Sequence, residues 1–271
     1  MEREVAIRLV LIALDASPSS LAALETAAGL AAALDAELSG LFVEDANLLR
    51  VAELPSARVL GSFSGRPLAL GRQDMERGLR AQAGRAHAAL AAAAQEVPVR
   101  WSFRVARGTV APEILAAVSE SSLLVLGKTG RSGTRFGSTV RAVAAEAPGP
   151  VLIAGHGAPR GSTVAVLYDG SPASERALGL AARLARKRRI TVLIPTDGAQ
   201  DAPSSLAARS KEGLAERGIS ANYVEHRPGD TNALARVLNR EHAGLLLLGD
   251  AHAAEAAALV EETGCPVLLM R

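Results

Sequence analysis

One strand-to-helix transition occurs twice in this sequence, and it constrains the fold more than any other feature. A continuous apolar run at 8–14 ends at Asp15, and Ser17-Pro18 follows as a helix N-cap with proline at the first helical position. A second apolar run at 163–167 leads into Asp169-Gly170-Ser171-Pro172. Because uninterrupted apolar runs of this length are typical of strands buried on both faces, each half is predicted to contain a parallel sheet.

The remainder of each half continues the alternation of strands and helices. Such alternation implies βαβ units with right-handed crossovers. We therefore predict two tandem domains, residues 1–154 and 162–271, joined by a linker with glycine and proline. The further strands are predicted at 37–43, 99–106, 123–126 and 151–154 in the first half, and at 190–194, 221–226, 244–248 and 267–269 in the second.

An additional segment distinguishes the first half. Residues 47–72 contain two prolines and three glycines, and they precede a long alanine-rich helix predicted at 73–95. A connection of this length inside a domain is unusual and tends to be functional or mobile. We expect this segment to be less regular than the rest of the half. If the protein works through protein contacts, residues 46–72 would be its adaptable surface.

A glycine-dense loop follows the apolar run at 123–126 and ends where a helical pattern begins. Its glycines leave no Cβ to block a ligand, and the hydroxyls at the helix start lie where the helix dipole favours negative charge. The spacing is neither that of a Walker loop nor Gly-x-Gly-x-x-Gly, so the residues alone indicate either an anion cradle or a plain turn. The residues concerned are Gly127, Gly130, Gly133, Gly137, Ser138 and Thr139.

The polar residues near this loop each have two interpretations. Asp15 could orient a ribose or a metal-bound phosphate, or simply stabilise a helix start. Lys128 and Arg131 could screen phosphate charge or be solvated loop cations. Ser138 and Thr139 could bind phosphate or cap the helix.

Composition and charge exclude several classes of function. Aromatic residues make up only 3% of the chain and its net charge is +2, which argues against stacking on single-stranded nucleic acid and against a broad basic footprint. The single cysteine, Cys265, excludes an internal disulfide framework and is predicted to be a small core residue. We expect no signal peptide and no membrane span, and hence a soluble cytoplasmic protein.

Catalytic and metal-binding patterns are not evident in the sequence. No histidine has a second histidine at ligand spacing, including His87 and His252 in alanine-rich helical segments and His226 near a chain turn. The sequence contains no Gly-x-Ser-x-Gly elbow and no paired acid and base for hydrolysis, so we expect a protein that is not an enzyme. The basic run at 183–189 is predicted to complement a helix C-terminus, with a partner site as the alternative.

Several motifs together resemble the universal stress protein family in its tandem two-domain form. They are the strand that ends at Asp15 with Ser17-Pro18 after it, the residues Leu41-Phe42-Val43 that end the second strand, Gly127-x-x-Gly130, Gly137-Ser138 and the segment 147–152. The resemblance implies an α/β fold of two Rossmann-like (adenine nucleotide alpha hydrolase-like) domains. Each would have a five-stranded parallel sheet of order 3-2-1-4-5 with helices on both faces. It also implies packing of the domains as a pseudo-dimer, leaves a homodimer open, and indicates a regulatory binding module of the stress response.

The same resemblance implies an adenine nucleotide such as ATP in the N-terminal domain, with Mg²⁺ as its accompanying ion. In ATP-binding members the loop reads Gly-x2-Gly-x9-Gly-Ser/Thr, whereas six residues separate Gly130 from Gly137 here. Three extended residues span about 10 Å, so the shorter loop can displace the phosphate-binding residues. The implied site comprises Asp15 and Val43 beside the base and ribose, and Gly127, Gly130, Arg131, Gly137, Ser138 and Thr139 around the phosphates.

The second half differs at the corresponding loop. Residues 249–255 keep one glycine and lose the hydroxyls, and Asp250 and Glu255 would repel phosphate. We expect this half to bind no nucleotide and to act as a structural or regulatory partner. Two alternatives stay open for the whole chain: a member that works through protein contacts without a nucleotide, and a nucleotide hydrolase.

Overall fold

Short apolar runs form the strands, as the sequence pattern predicts. The computed structural model describes residues 6–54, 58–60, 67–69, 71–128, 137–155, 161–185, 189–197 and 201–271. The strands are β1 (Leu9–Leu14), β2 (Glu37–Asp45), β3 (Arg58–Leu60), β4 (Pro67–Ala69), β5 (Trp101–Gly108), β6 (Ser122–Gly127), β7 (Val151–Ala154), β8 (Thr163–Leu167), β9 (Arg189–Pro195), β10 (Ala221–His226), β11 (Ala243–Gly249) and β12 (Val267–Met270).

Helices connect these strands, and two of them begin with the same cap. The Oγ atoms of Ser17 and Ser171 accept hydrogen bonds from the backbone N–H groups three residues further on, each at 3.2 Å, and proline follows each cap. None of the helices in the described part of the chain combines the length and apolarity that a bilayer span requires. The helices are α1 (Pro18–Leu34), α2 (Ala46–Ala52), α3 (Arg72–Gln95), α4 (Val110–Leu115), α5 (Ser138–Glu146), α6 (Pro172–Leu184), α7 (Pro203–Ala215), α8 (Thr231–Arg240) and α9 (Ala253–Thr263), the last preceded by a 3-10 turn at Asp250–His252.

One ten-stranded sheet runs through both halves, in the order β10-β9-β8-β11-β12-β7-β6-β1-β2-β5. Each half therefore has the order 3-2-1-4-5, and the strand pairs of this sheet within each half are parallel, which confirms the predicted topology. The halves join through antiparallel pairing of β7 with β12, with Leu152 opposite Leu268. The boundaries at 1–154 and 162–271 stay a prediction, since residues 156–160 lie outside the described ranges.

The strand order creates a crevice at a fixed place in each half. β1 pairs with β2 on one side and with β6 on the other, so the chain leaves β1 and β6 in opposite directions. In open parallel sheets, ligands bind at this reversal, beyond the carboxyl ends of the strands. Asp15 and Gly127 lie at this edge of the first half, and Asp169 and Gly249 at the equivalent edge of the second.

An apolar layer covers each face of the sheet and continues across the join between the halves. On one face, buried residues of α1, α3, α6 and α7 pack against the strands, and on the other face those of α4, α5, α8 and α9 do so. The α1 residues Ala23, Ala27 and Ala31 are completely buried. Their small side chains let the helix approach the sheet closely, which suits a core with few aromatic residues.

The segment at 46–72 is more regular than the sequence suggested. It contains α2 and an antiparallel hairpin of β3 with β4. Asp45 accounts for the helix, because its Oδ1 accepts a hydrogen bond from the backbone N–H of Asn47 at 2.9 Å and caps α2. The prediction of a less regular segment did not include this helix or this hairpin, and residues 55–57, 61–66 and 70 lie outside the described ranges.

The join between the halves should be a major source of stability. Leu152 is completely buried opposite Leu268 beneath the α1–α6 layer. We expect Leu152→Ala to lower the free energy of unfolding by about 2–5 kcal/mol, because it removes buried methyl groups and leaves a cavity. Chemical denaturation measures this. The control Leu54→Ala alters a residue that is 55% exposed and should change it by less than about 0.5 kcal/mol. Equal effects of the two variants would contradict the assignment.

Candidate functional site

A cavity of about 430 Å³ lies at the crevice between β1 and β6. Elements on both sides of the crevice line it, including β2, α2 and α3 on the β2 side of β1 and α5 after β6. Of the predicted residues, Gly130 and Arg131 lie outside the described ranges. The structure brings the other six together in this lining: Asp15, Val43, Gly127, Gly137, Ser138 and Thr139.

The turn after β1 presents a carboxylate to the cavity. Asp15 Oδ1 accepts a hydrogen bond from the Ser17 backbone N–H at 2.9 Å, and Ala16 has a left-handed φ of 57°. This local bond fixes the aspartate at the turn. Its second oxygen has no hydrogen-bond partner in the described part of the chain and is free to accept one from a ligand.

Gly127 permits close packing between the end of β6 and the start of α1. A Cβ at this position would lie 2.8 Å from the backbone nitrogen of Ser20 and 2.9 Å from the carbonyl carbon of Ser19. The absence of a side chain at Gly127 is thus required by the fold itself, in addition to any role beside a ligand. At Gly249, a Cβ would meet the side chain of Ala173 at 3.2 Å.

The start of α5 faces the cavity without a side-chain cap. Gly137 is the N-cap residue, and it has no side chain that could accept a hydrogen bond there. Ser138 and Thr139 do not cap the helix, because both already lie inside its first turn. Backbone N–H groups in a first helical turn have no partner within the helix, and with the helix dipole they attract anions. Ser138, Thr139 and Val140 therefore bring an anion-attracting group to the cavity wall.

Lys128 lies immediately after β6 and is buried, with 5% of its surface exposed. Its interpretation as a solvated loop cation was wrong. The chain folds back at this point, since the backbone N–H of Gly137 donates to the Lys128 carbonyl at 3.4 Å. The Lys128 side chain is not among the described residues that line the cavity.

The β2 side of the cavity is apolar, with polar groups at particular points. Leu14, Phe42, Leu48 and Leu79 supply aliphatic and aromatic surface. On this side, two polar side chains that motif analysis missed also line the cavity. Asp45, which caps α2, is one of them, and Gln82 of α3, whose buried Oε1 has no hydrogen-bond partner among the described residues, is the other. Neither belongs to a recognisable motif, so sequence spacing gave no signal for them.

In the second half, side chains are in contact across the equivalent crevice, between β8 and β11. His252 Nε2 lies 3.3 Å from Asp169 Oδ2, and His252 Nδ1 lies 3.8 Å from Glu255 Oε2. The sequence shows no second histidine at ligand spacing from His252, and its partners in the structure are these two carboxylates. His252 is the last residue of the 3-10 turn before α9. The connection after β11 is short, so this turn lies within reach of β8. The hydrogen bond with Asp169 raises the pKa of His252 and lowers that of Asp169.

Two further residues, Cys265 and His226, lie in the core. Burial raises the pKa of the Cys265 thiol to about 12, consistent with a packing role. His226 is 7% exposed, its ring nitrogens have no hydrogen-bond partner among the described residues, and burial lowers its pKa. Within the described ranges, no group of three or more histidine, cysteine, aspartate or glutamate residues could hold a metal ion.

Comparison with known proteins gives a consistent family and fold. The profile of the universal stress protein family matches residues 6–155. A universal stress protein from Archaeoglobus fulgidus DSM 4304 has a similar crystal structure, at 15% sequence identity and a TM-score of 0.72, covering 99% of each chain. A functionally unknown protein from Pseudomonas aeruginosa PAO1 matches at 17% identity and a TM-score of 0.57, covering 98% of this chain and 93% of that one. No curated protein matches the sequence. At these identities the structural likeness concerns the fold alone.

The two glycines that end β6 and β11 should respond differently to substitution. Gly127→Ala should lower the free energy of unfolding by about 1–3 kcal/mol, because the new Cβ would press on backbone atoms of α1. In the matched variant Gly249→Ala, the new Cβ would meet a side chain at a longer distance. This substitution should lower the free energy of unfolding by less than about 1 kcal/mol. Urea denaturation of both variants measures the difference, and a larger loss for Gly249→Ala would contradict it.

The contact between Asp169 and His252 should make stability depend on pH. Because folding raises the pKa of His252, its contribution is fully present below about pH 6.5 and is lost as the pH rises through the folded-state pKa. We expect the excess of wild type over His252→Gln in unfolding free energy to be larger at pH 5.5 than at pH 8.5. His226 is present in both proteins, so its effect largely cancels in this difference.

A histidine outside this cluster provides the control for that measurement. His87 lies on the exposed face of α3, and its substitution by glutamine should give a difference from wild type that changes less between the two pH values. If His252→Gln differed from wild type by the same amount at both pH values, the contact would carry no pH-dependent stability.

Proposed function

This chain belongs to the universal stress protein family, and from that premise we propose that its N-terminal half binds an adenine nucleotide, ATP, in the cavity between β1 and β6. The observation that carries the proposal is the composition of this one cavity. It joins an uncapped helix start to an apolar wall and to carboxylates at the strand ends. The protein would act as a regulatory binding module of the stress response.

The phosphates belong at the α5 end of the cavity. Backbone N–H groups of the first α5 turn lack helical partners, and the hydroxyls of Ser138 and Thr139 lie beside them. These groups suit an anion, and Gly137 leaves room for it at the helix start. Gly130 and Arg131 complete the proposed set by sequence.

The base and ribose belong on the β2 side. Leu14, Phe42 and Leu79 offer an apolar surface for a flat heterocycle, with Val43 at the end of β2. Asp15 has an oxygen free to accept a hydrogen bond from a ribose hydroxyl. A simple inorganic anion would gain nothing from this side and would be repelled by its carboxylates. A nucleotide matches both ends at once.

Binding rather than catalysis is the role we propose. The described residues that line the cavity include no histidine or cysteine, and Asp15 and Asp45 each use one carboxylate oxygen in a turn or cap. Among the described lining residues, these carboxylates therefore have no histidine or cysteine beside them with which to form a catalytic pair. Mg²⁺ would accompany the triphosphate. A cytoplasmic location and a homodimer of whole chains stay predictions.

The second half would serve as a structural or regulatory partner without a nucleotide. Its crevice is spanned by Asp169 and His252, and Asp250 and Glu255 lie near the start of α9. These carboxylates would repel a phosphate group from that helix start. The two halves would then act as a pseudo-dimer with one nucleotide site.

A second candidate function rests on exposed apolar side chains. Val51 and Leu54, in α2 and just after it, are 48% and 55% exposed, and Val105 on β5 is 49% exposed. These residues favour the alternative of a member that acts through protein contacts at this surface, without a nucleotide. A titration of the whole chain that detects no nucleotide binding would favour this alternative.

Calorimetric titration with ATP and Mg²⁺ tests the proposal, with Thr139→Glu as the informative variant. A glutamate in the first turn of α5 stabilises the helix but places negative charge where the phosphates would bind. We expect the affinity for ATP to fall at least about tenfold, whereas that for adenosine should change by less than about twofold.

The matched control is Ala253→Glu, which adds the same charge at the first turn of α9 in the second half. It should bind ATP as wild type does. Absence of heat and of a thermal shift for wild type with ATP would overturn the proposal. Release of inorganic phosphate during the titration, abolished by Asp15→Asn, would instead support a hydrolase.

A further inference from the structure

Gln82 is a polar side chain in an otherwise apolar part of the cavity wall. It lies on α3 three residues after Leu79, which is 1% exposed and lines the same cavity. Residues three apart on a helix share a face, so Gln82 and Leu79 approach the cavity from the same side. This is the side of β1 on which β2 and α2 contribute Phe42 and Leu48.

The hydrogen bonding of the Gln82 carboxamide oxygen is incomplete within the described part of the chain. Its Oε1 is buried and has no hydrogen-bond partner among the described residues. Buried polar side-chain atoms are nearly always hydrogen-bonded in folded proteins, so an exception requires an explanation. The other polar lining residue on this side, Asp45, uses one oxygen to cap α2, whereas Gln82 has no such local role.

A ligand can supply the missing partner. The terminal torsion of glutamine is broad and soft, so the amide can rotate and turn its oxygen towards the cavity. A carboxamide offers an acceptor and two donors side by side. That pattern matches the edge of adenine, where the exocyclic amino group donates and a neighbouring ring nitrogen accepts.

We propose that the Gln82 carboxamide hydrogen-bonds the amino-bearing edge of the bound base and so favours adenine over purines that lack this amino group. The inference rests on the proposed nucleotide function of the same cavity. It assigns phosphate binding to α5 and recognition of the base to α3. The helix α3 carries none of the family motifs.

Titration of the full chain with two nucleotides tests the assignment. The probes are ATP and purine riboside triphosphate, which differs from ATP only in lacking the exocyclic amino group. We expect Gln82→Leu to weaken ATP binding about 5- to 10-fold and to change binding of the analogue by less than about twofold. Inosine triphosphate is a poorer probe, because the amide nitrogen can donate to its ring carbonyl.

Two further variants make the result specific. Gln82→Glu keeps an acceptor and should retain the preference for ATP over the analogue, even if its charge weakens both. Gln95→Leu makes the same change at an exposed position near the end of α3 and should match wild type with both probes. Thermal unfolding establishes that each variant is folded.

The outcomes separate this assignment from the proposed function. If wild type binds neither probe, the nucleotide function and the assignment are both overturned. If wild type binds ATP but Gln82→Leu weakens both probes equally, or neither, the nucleotide function stands and Gln82 does not read the base.

Discussion

The pairing of β1 between β2 and β6 is the constraint on which the rest of this structure depends. Because the strands are parallel and the chain departs from β1 and β6 in opposite directions, their carboxyl ends cannot be covered by the same connection. The crevice is thus a consequence of topology and not of any special residue. Gly127 keeps β6 close enough to α1 for this arrangement, since any Cβ would meet the α1 backbone.

The two halves show that one topology can produce two different sites. In the first half, the connection after β6 is long and ends at an uncapped helix start beside a cavity. In the second half, the connection after β11 is a single 3-10 turn, which brings His252 to Asp169. The two sites differ in the length of the connection after β6 or β11 and in the presence of His252. This supports a division of roles in which one half binds a ligand and the other contributes structure or regulation.

Much of the fold could be predicted from the sequence, because the signals that determine it are local. Apolar runs gave the strands, and Ser17-Pro18 and Ser171-Pro172 gave the starts of α1 and α6. The strand order came from the family resemblance. The helix α2 and the β3–β4 hairpin were missed, because the Asp45 cap is an ordinary aspartate without a flanking motif. The burial of Lys128 was missed because it depends on how a loop folds back.

The candidate site was predictable only in part, for a similar reason. The predicted lining residues lie close to the ends of strands or at the start of a helix, so sequence order alone places them at one edge. They are Asp15, Val43, Gly127, Gly137, Ser138 and Thr139. Gln82 lies in the middle of a helix from another part of the chain, and only tertiary packing brings it to the cavity. The contact between His252 and Asp169 likewise joins residues far apart in sequence.

Amide chemical-shift mapping of the isotopically labelled full chain during an ATP titration tests the central claim most directly. The account predicts saturable shifts at Val43, Gly127, Ser138 and Thr139, and none of comparable size at Asp169 and His252. Shifts concentrated at the second crevice, or at neither, would contradict the account.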